Sequence, residues 1–246
     1  MKRALCIAIF TAGLAMPAAA ADMPARVPVK AQAVAPLFNW TGFYAGINGG
    51  YGWDPGYVIS SPGEPDEVLP LEPRGAFGGG QFGYNWQFVQ NWLYGVEVDF
   101  QFADIKDSVI FTAGGGGTNA STATLKLAQF ATVRGRFGYL VNPTTLIFAT
   151  GGVAFGNFRP SIFAEYDADN GRLNARKWDT GFVVGGGFEH AFGNGWTFKV
   201  EYQYLDFSLR ITGITDDGDP FILTGNPEVH TVRFGINRKF GAPPPP

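Results

Sequence analysis

Charged residues in this sequence recur at every second position within several short stretches. That spacing places ionic groups on one face of a β-strand, because strand side chains alternate between faces. Glu97 and Asp99 are two apart, as are Arg134 and Arg136, and Lys199 and Glu201; Glu189, Arg233 and Lys239 hold the same parity in their own stretches. Gathered in one narrow interior, these nine side chains could line an ion pathway or form a plug of salt bridges that fixes strand register. The plug is the favoured reading, since an unpaired charge held out of water is costly.

Other constellations carry less. Ser208 and His230 share an outward parity near the ends of adjacent predicted strands, with Glu228 close by. A serine activated by a histidine beside a lipid surface could hydrolyse acyl chains, although chance placement is the preferred explanation. Gly78, Gly80 and Gly83 spell G-x-G-x-x-G. A dinucleotide site needs that turn before a helix, and Phe82, Tyr84 and Trp86 instead continue at strand period. Asp167, Asp169 and Asn170, and Asp216, Asp217 and Asp219, could hold calcium through oxygens, but they lack EF-hand spacing and turn chemistry accounts for them equally well. Asn119-Ala-Ser121 matches a glycosylation acceptor by letter alone, and Gly114 to Gly117 mark a loop tip. The sequence points to no cofactor and no metal.

The elements that must position these residues follow from alternation of period two. Trp92, Tyr94, Val96, Val98, Phe100 and Phe102 oppose Leu93, Gly95, Glu97, Asp99 and Gln101. Trp196, Phe198, Val200, Tyr202 and Tyr204 oppose Thr197, Lys199, Glu201 and Gln203. Val133, Gly135, Phe137 and Tyr139 oppose Thr132, Arg134 and Arg136, and Val232, Phe234 and Ile236 oppose Arg233, Asn237 and Lys239. Weaker segments at 41–52, 75–88, 145–158 and 178–190 complete a set of eight, with Ile147 and Phe148 competing for the outward face of the third. Short connections carry turn signals at Val89-Gln90-Asn91, Val141 to Thr144 and Phe192 to Gly195; long ones run over roughly 53–74, 103–122, 159–177 and 207–228.

Composition gives the pattern a solvent. Only 16% of residues are charged, against 15% aromatic, with 35 glycines and 23 phenylalanines; roughly 25% charged is usual for a soluble domain. The formal net charge of -3 argues against a nucleic-acid partner, which would call for a basic surface. The one long apolar run, Leu5 to Met16, follows Lys2 and Arg3 and precedes small residues, so residues 1–21 read as a signal peptide. Cys6 lies inside it, which leaves no cysteine for disulfides or metal in the mature chain. Residues 22–38 read as a disordered periplasmic lead-in, 39–240 as the folded region, and 241–246 as a Pro-rich tail unable to join a sheet.

Lipid offers no hydrogen bonds, so a spanning sheet must close on itself. An even strand number, short turns at one end and long loops at the other are the pattern of outer-membrane barrels. The expected fold is therefore all-β: an eight-stranded antiparallel transmembrane β-barrel with short periplasmic turns and long extracellular loops. Aromatic girdles are expected at Trp40, Trp86, Trp92, Tyr139, Trp196 and Phe240 on the periplasmic side, and at Tyr51, Trp53, Phe102, Trp178 and Tyr204 on the outer side. A soluble lipocalin-like barrel is the competing fold; it would have to turn its apolar faces inward.

Several stretches also resemble the alphaproteobacterial outer-membrane immunogenic proteins, a family of small porin-like β-barrels. They are Asn39 to Trp53, Gly78 to Gln87, Thr132 to Tyr139, Thr150 to Gly156 and Arg233 to Phe240. The resemblance covers roughly 39–240 and implies an outer-membrane location, exposed antigenic loops, and haem as a candidate ligand. The assembly signal of such barrels ends on a terminal aromatic, which places it on Phe234, Ile236 and Phe240, with Gly241 to Pro246 following.

The function expected from all this is envelope support and presentation of surface loops, without catalysis. Alternatives are a narrow pore or haem and small-ligand binding, and, more remotely, an outer-leaflet lipid deacylase, for which some eight-stranded barrels are a precedent by analogy. Expected partners are outer-membrane lipids, lipopolysaccharide and the barrel assembly machinery. The loops 53–74 and 207–228, rich in acids such as Asp54, Asp66, Asp216 and Glu228, are expected to be solvated and mobile.

Overall fold

A computed structural model describes residues 38–56, 71–112, 120–165, 170–174, 176–214 and 220–240. The expected signal peptide, all of the lead-in but Phe38, the tail, the Gly114–Gly117 tip, Asn119, and the loop acids Asp66, Asp167, Asp169, Asp216, Asp217 and Asp219 lie outside the described residues.

Eight long strands form the wall: β1 Gly42–Trp53, β2 Arg74–Val89, β3 Trp92–Thr112, β4 Ala120–Asn142, β5 Thr145–Glu165, β7 Lys177–Gly193, β8 Trp196–Phe207 and β11 Glu228–Phe240. Each pairs antiparallel with its neighbours in the ring. The ring closes between β1 and β11, from Phe43 opposite Phe240 to Trp53 opposite His230. No strand of the eight is left with an unpaired edge, which is the condition a lipid environment imposes. The three short turns fall where the sequence placed them. At Asn194-Gly195 both residues have positive φ, 50° and 78°, as a type I′ hairpin requires.

At the opposite end the strands run on. β3, β4 and β5 have 21, 23 and 21 residues, longer than the roughly 9–14 expected from alternation. The expected loops 103–122 and 159–177 are thus largely strand, and β6 Asn170–Asn174 adds to the end of β5. Within the expected loop 207–228, β9 Leu209–Ile214 and β10 Pro220–Gly225 form a hairpin. The reason is visible at Phe102, where the β3–β4 register shifts before Ile105. A bulge inserts residues without a partner and flips the phase of alternation. β3 keeps one parity from Glu97 through Ile105, while on β4 burial switches from the even positions Phe130, Thr132, Arg134 and Arg136 to the odd positions Leu127 and Leu125. A reading that follows a constant period of two loses the strand there.

The outward face is apolar along the wall: Ile47, Phe82, Val96, Val133, Phe155, Val184 and Phe234 are among the many large side chains left exposed. The competition within β5 resolves with Ile147 outward, 53% exposed, and Phe148 inward at 4%. Inside lie three layers. An apolar cluster fills the extended end, with Leu71, Phe77, Ile105, Leu127, Phe130, Phe158, Leu205 and Phe207. A second fills the turn end, with Leu93, Leu140, Leu146, Phe148 and Ala191. Trp40 belongs to this cluster, not to a girdle. It precedes β1, so the pleat does not hold it outward; its ring tucks beneath the strands and its Nε1 donates to the Pro143 carbonyl at 3.1 Å. Charged residues occupy the layer between.

Candidate functional site

The middle layer is built from inward positions on five strands: Glu97 and Asp99 on β3, Arg134 and Arg136 on β4, Glu189 on β7, Lys199 and Glu201 on β8, and Arg233 on β11. All eight are essentially excluded from solvent. Arg134 bridges Glu97 and Glu201 and reaches Asp99 at 2.9 Å. Arg233 meets Glu201 at 2.7 Å, Glu97 at 3.0 Å and Asp99 at 3.3 Å. Lys199 lies 2.8 Å from Glu97 and 3.3 Å from Glu201. Neutral donors complete the shells: the Tyr44 hydroxyl donates to Glu97 at 2.7 Å, Thr132 to Asp99 at 2.6 Å and Gln203 to Glu201 at 3.2 Å.

A second group lies toward the turn end. Arg136 pairs with Glu189 and stacks its guanidinium 4.1 Å from the Phe148 ring centroid. Glu189 also accepts from Thr197 and, at 2.9 Å, from Asn237. Gln81 donates to Asn237, and Asn48 donates to Gln81 at 3.1 Å. The two groups together hold four carboxylates and four cations, so the layer carries no net charge. Chemically this is a closed ionic network. Every carboxylate in it is engaged by a cation.

Lys239, the ninth residue expected in the lumen, stands apart. It sits near the turn end of β11, half-buried, and its Nζ donates to the Asn39 carbonyl beside the Phe38 ring. Five residues separate it from Arg233, the network's cation on the same strand, and the side chain reaches the backbone that enters the barrel instead. Phe234, Ile236 and Phe240 lie on the outward face of β11, 53%, 45% and 53% exposed.

The glycines are what the sequence reading missed. Across the ladders Arg134 faces Gly152, Glu201 faces Gly187, Arg233 faces Gly50, Glu97 faces Gly83 and Arg136 faces Gly95. Long charged side chains thus lie over inward positions that have no side chain of their own. A Cβ on Gly83 would fall 2.4 Å from the Tyr44 hydroxyl, and one on Gly187 would fall 2.0 Å from the Val200 carbonyl. The signal was available as inward charge alternating with inward glycine, but only the register says which pairs with which. In the G-x-G-x-x-G stretch, Gly83 is inward while Gly78 and Gly80 face out.

The remaining candidates are dispersed. His230 is bound through Nδ1 to the Tyr202 hydroxyl at 2.6 Å and stacks on Trp53. Ser208 follows the last β8–β11 pair, Asp206 with Glu228, and is not brought to the histidine. Asp54 is not a solvated loop acid. It is buried at the extended end, where its carboxylate accepts the backbone N–H groups of Gly56 at 2.9 Å and Glu228 at 3.0 Å. Burial pushes its carboxyl up to about 6, against the lowering effect of those two bonds. Among the described residues no group of three or more His, Cys, Asp or Glu is placed to hold a metal, and no helix is long and apolar enough to cross a membrane.

Comparison with known proteins adds a second line. The model of the outer membrane protein beta-barrel domain matches residues 6–240. The chain is 35% identical to the 31 kDa outer-membrane immunogenic protein of Brucella melitensis, over 97% of this chain and 100% of that protein. It is 32% identical to a 22 kDa outer membrane protein of Rhizobium leguminosarum, over 87% and 82%. Among solved structures it is similar to OprG of Pseudomonas aeruginosa, with a TM-score of 0.51 at 14% identity, covering 85% of this chain and all of that one.

Proposed function

This chain belongs to the outer membrane protein β-barrel family, and from that premise we propose that it is a sealed, non-catalytic wall protein. It supports the envelope and presents the extended ends of its strands outside the cell. The protein is an integral outer-membrane β-barrel. The observation that carries the rest is the filled interior: a charge-neutral network of eight buried ionic side chains, with an apolar cluster above and another below it. An eight-stranded barrel is just wide enough for side chains to fill. To conduct, this one would have to part buried ion pairs. Absence of catalysis in this reading is supported by the engagement of His230 with Tyr202 rather than Ser208.

Partners in this reading are outer-membrane lipids and lipopolysaccharide along the wall, and the barrel assembly machinery at Phe234, Ile236 and Phe240. Purified protein reconstituted into a planar bilayer should give no stepwise conductance, and addition of haem should leave its absorbance spectrum that of free haem. Reproducible unitary steps would replace the sealed wall with a pore. A saturable Soret shift would replace it with a binding protein. His190 and His230, at opposite ends of the wall, would be the first ligands to substitute.

A further inference from the structure

We propose that a crescent of five basic side chains on the outside of the wall, Arg74, Lys106, Lys126, Arg159 and Arg176, binds the phosphate groups of an anionic glycolipid in the outer leaflet. The inference rests on the outer-membrane placement and goes beyond the sealed-wall reading.

The register makes the crescent. Arg74 on β2 lies directly opposite Lys106 on β3, Lys106 opposite Lys126 on β4, and Lys126 opposite Arg159 on β5. Arg176 comes one residue before β7, next to the last β5–β7 pair of Phe158 with Lys177. Arg74, Lys106, Arg159 and Arg176 are exposed and Lys126 is partly so. Like charges directly opposite one another destabilise a sheet, and here three consecutive cross-strand pairs are like-charged. One carboxylate among the described residues offsets them: Asp104, at the β3 bulge, lies 3.2 Å from Lys106 and 2.6 Å from Lys126. The arrangement is therefore left with excess positive charge that an external anion would neutralise.

Position selects the anion. On β3 Asp104 stands between Phe102 and Lys106, and the exposed Ile110 and Phe163 lie farther out; on β5 and at the start of β7 the basic residues Arg159 and Arg176 are the first charges beyond the outward Phe155 and Trp178. That is headgroup level. With neighbouring strands about 4.8 Å apart, four gaps spread the crescent over roughly 19 Å, the footprint of a multi-chain lipid rather than of one phosphate ion. Lys and Arg are the side chains that recognise phosphate. The charge is also one-sided: across the barrel β8 and β11 present Asp206 opposite Glu228 at the corresponding end. A uniform surface potential would not produce that asymmetry; a lipid seated against one arc of the wall would exploit it.

The test uses folded full-length barrel in detergent, with retained lipid counted by native mass spectrometry. The probes are bisphosphorylated lipid A and the same lipid after enzymatic dephosphorylation. The triple variant Arg74→Gln, Lys126→Gln, Arg159→Gln should bind the phosphorylated lipid about a hundredfold more weakly than wild type, from three lost charges near an anionic headgroup. Arg238→Gln, at the periplasmic end, should bind as wild type does. Rising salt should weaken binding. Equal binding by the triple variant, or equal affinity of wild type for the two lipids, overturns the proposal. Displacement by equimolar inorganic phosphate would show a free-anion site instead, and tighter binding of dextran sulfate would show a site for soluble polyanions; either also overturns it. Should the triple variant not fold, as seen by loss of heat-modifiable gel migration, the two-lipid comparison on wild type decides. Recovery of wild type in the outer-membrane fraction, measured separately, keeps the outcome distinct from any failure of the membrane placement.

Discussion

Glu97 accepts from Tyr44, Arg134, Lys199 and Arg233 at once, so its removal exposes what the network does. Glu97→Gln leaves the lumen with an uncompensated buried positive charge, which costs about 3–5 kcal/mol. The expected outcome is a marked fall in the temperature at which the compact gel band converts to the unfolded one. Adding Lys199→Met restores neutrality, and the double variant should regain part of the loss, a coupling that independent sites would not show. Asp54 gives a pH prediction of its own. Its folded-state carboxyl is raised to about 6 from 3.8. Stability from this group is therefore full below about pH 4 and lost as pH rises through 6, up to about 3 kcal/mol. Asp54→Asn should lessen the drop in thermal stability between pH 4 and pH 8. An unchanged pH profile would remove the role assigned to its burial.

The same logic scales to the strand, where the facing of each residue decides what it can become. Gly135 on β4 faces lipid, and a Cβ there meets nothing closer than the Gly151 carbonyl at 3.8 Å. Gly135→Arg is therefore not excluded by space; it fails because an arginine facing mid-membrane lipid costs about 2–4 kcal/mol. Thr132, three residues away and inward, donates to Asp99, and Thr132→Ser keeps that hydroxyl. Assembly should collapse for the first and persist for the second, read as the outer-membrane fraction of each; equal tolerance would invert the facing of β4. Gly83→Ala tests the glycine beneath Glu97. The added methyl displaces the Tyr44 hydroxyl, so heat stability should fall although the substitution is small and raises strand propensity.

For the molecule as a whole, closure and filling act together. The β1–β11 seam removes the last free edge, and three layers of side chains pack the interior. Such a barrel should migrate anomalously on gels when unheated and partition with the outer membrane. Recovery in soluble periplasm would contradict both the apolar outer face and the family.

Strand parity was legible in the sequence because period two survives wherever one face meets lipid and the other a charged interior. Trp92 to Phe102 and Trp196 to Tyr204 announce both faces without any partner strand. The ionic residues could be chosen for the same reason, since only inward positions tolerate them. Three things waited for the tertiary structure. The extended end of β4 was hidden by a bulge, which shifts its parity between Phe130 and Leu127 and leaves no mark in composition. Trp40 was misplaced because it precedes β1 and no pleat holds it outward, and Lys239, inward by parity opposite Tyr44, lies too far toward the turn end to join the network. The pairing of Glu97, Arg134, Arg136, Glu201 and Arg233 with glycines, and the row of Arg74, Lys106, Lys126 and Arg159, depend on register. Register is a relation between segments distant in the chain, fixed by closing the ring, and no single strand encodes it.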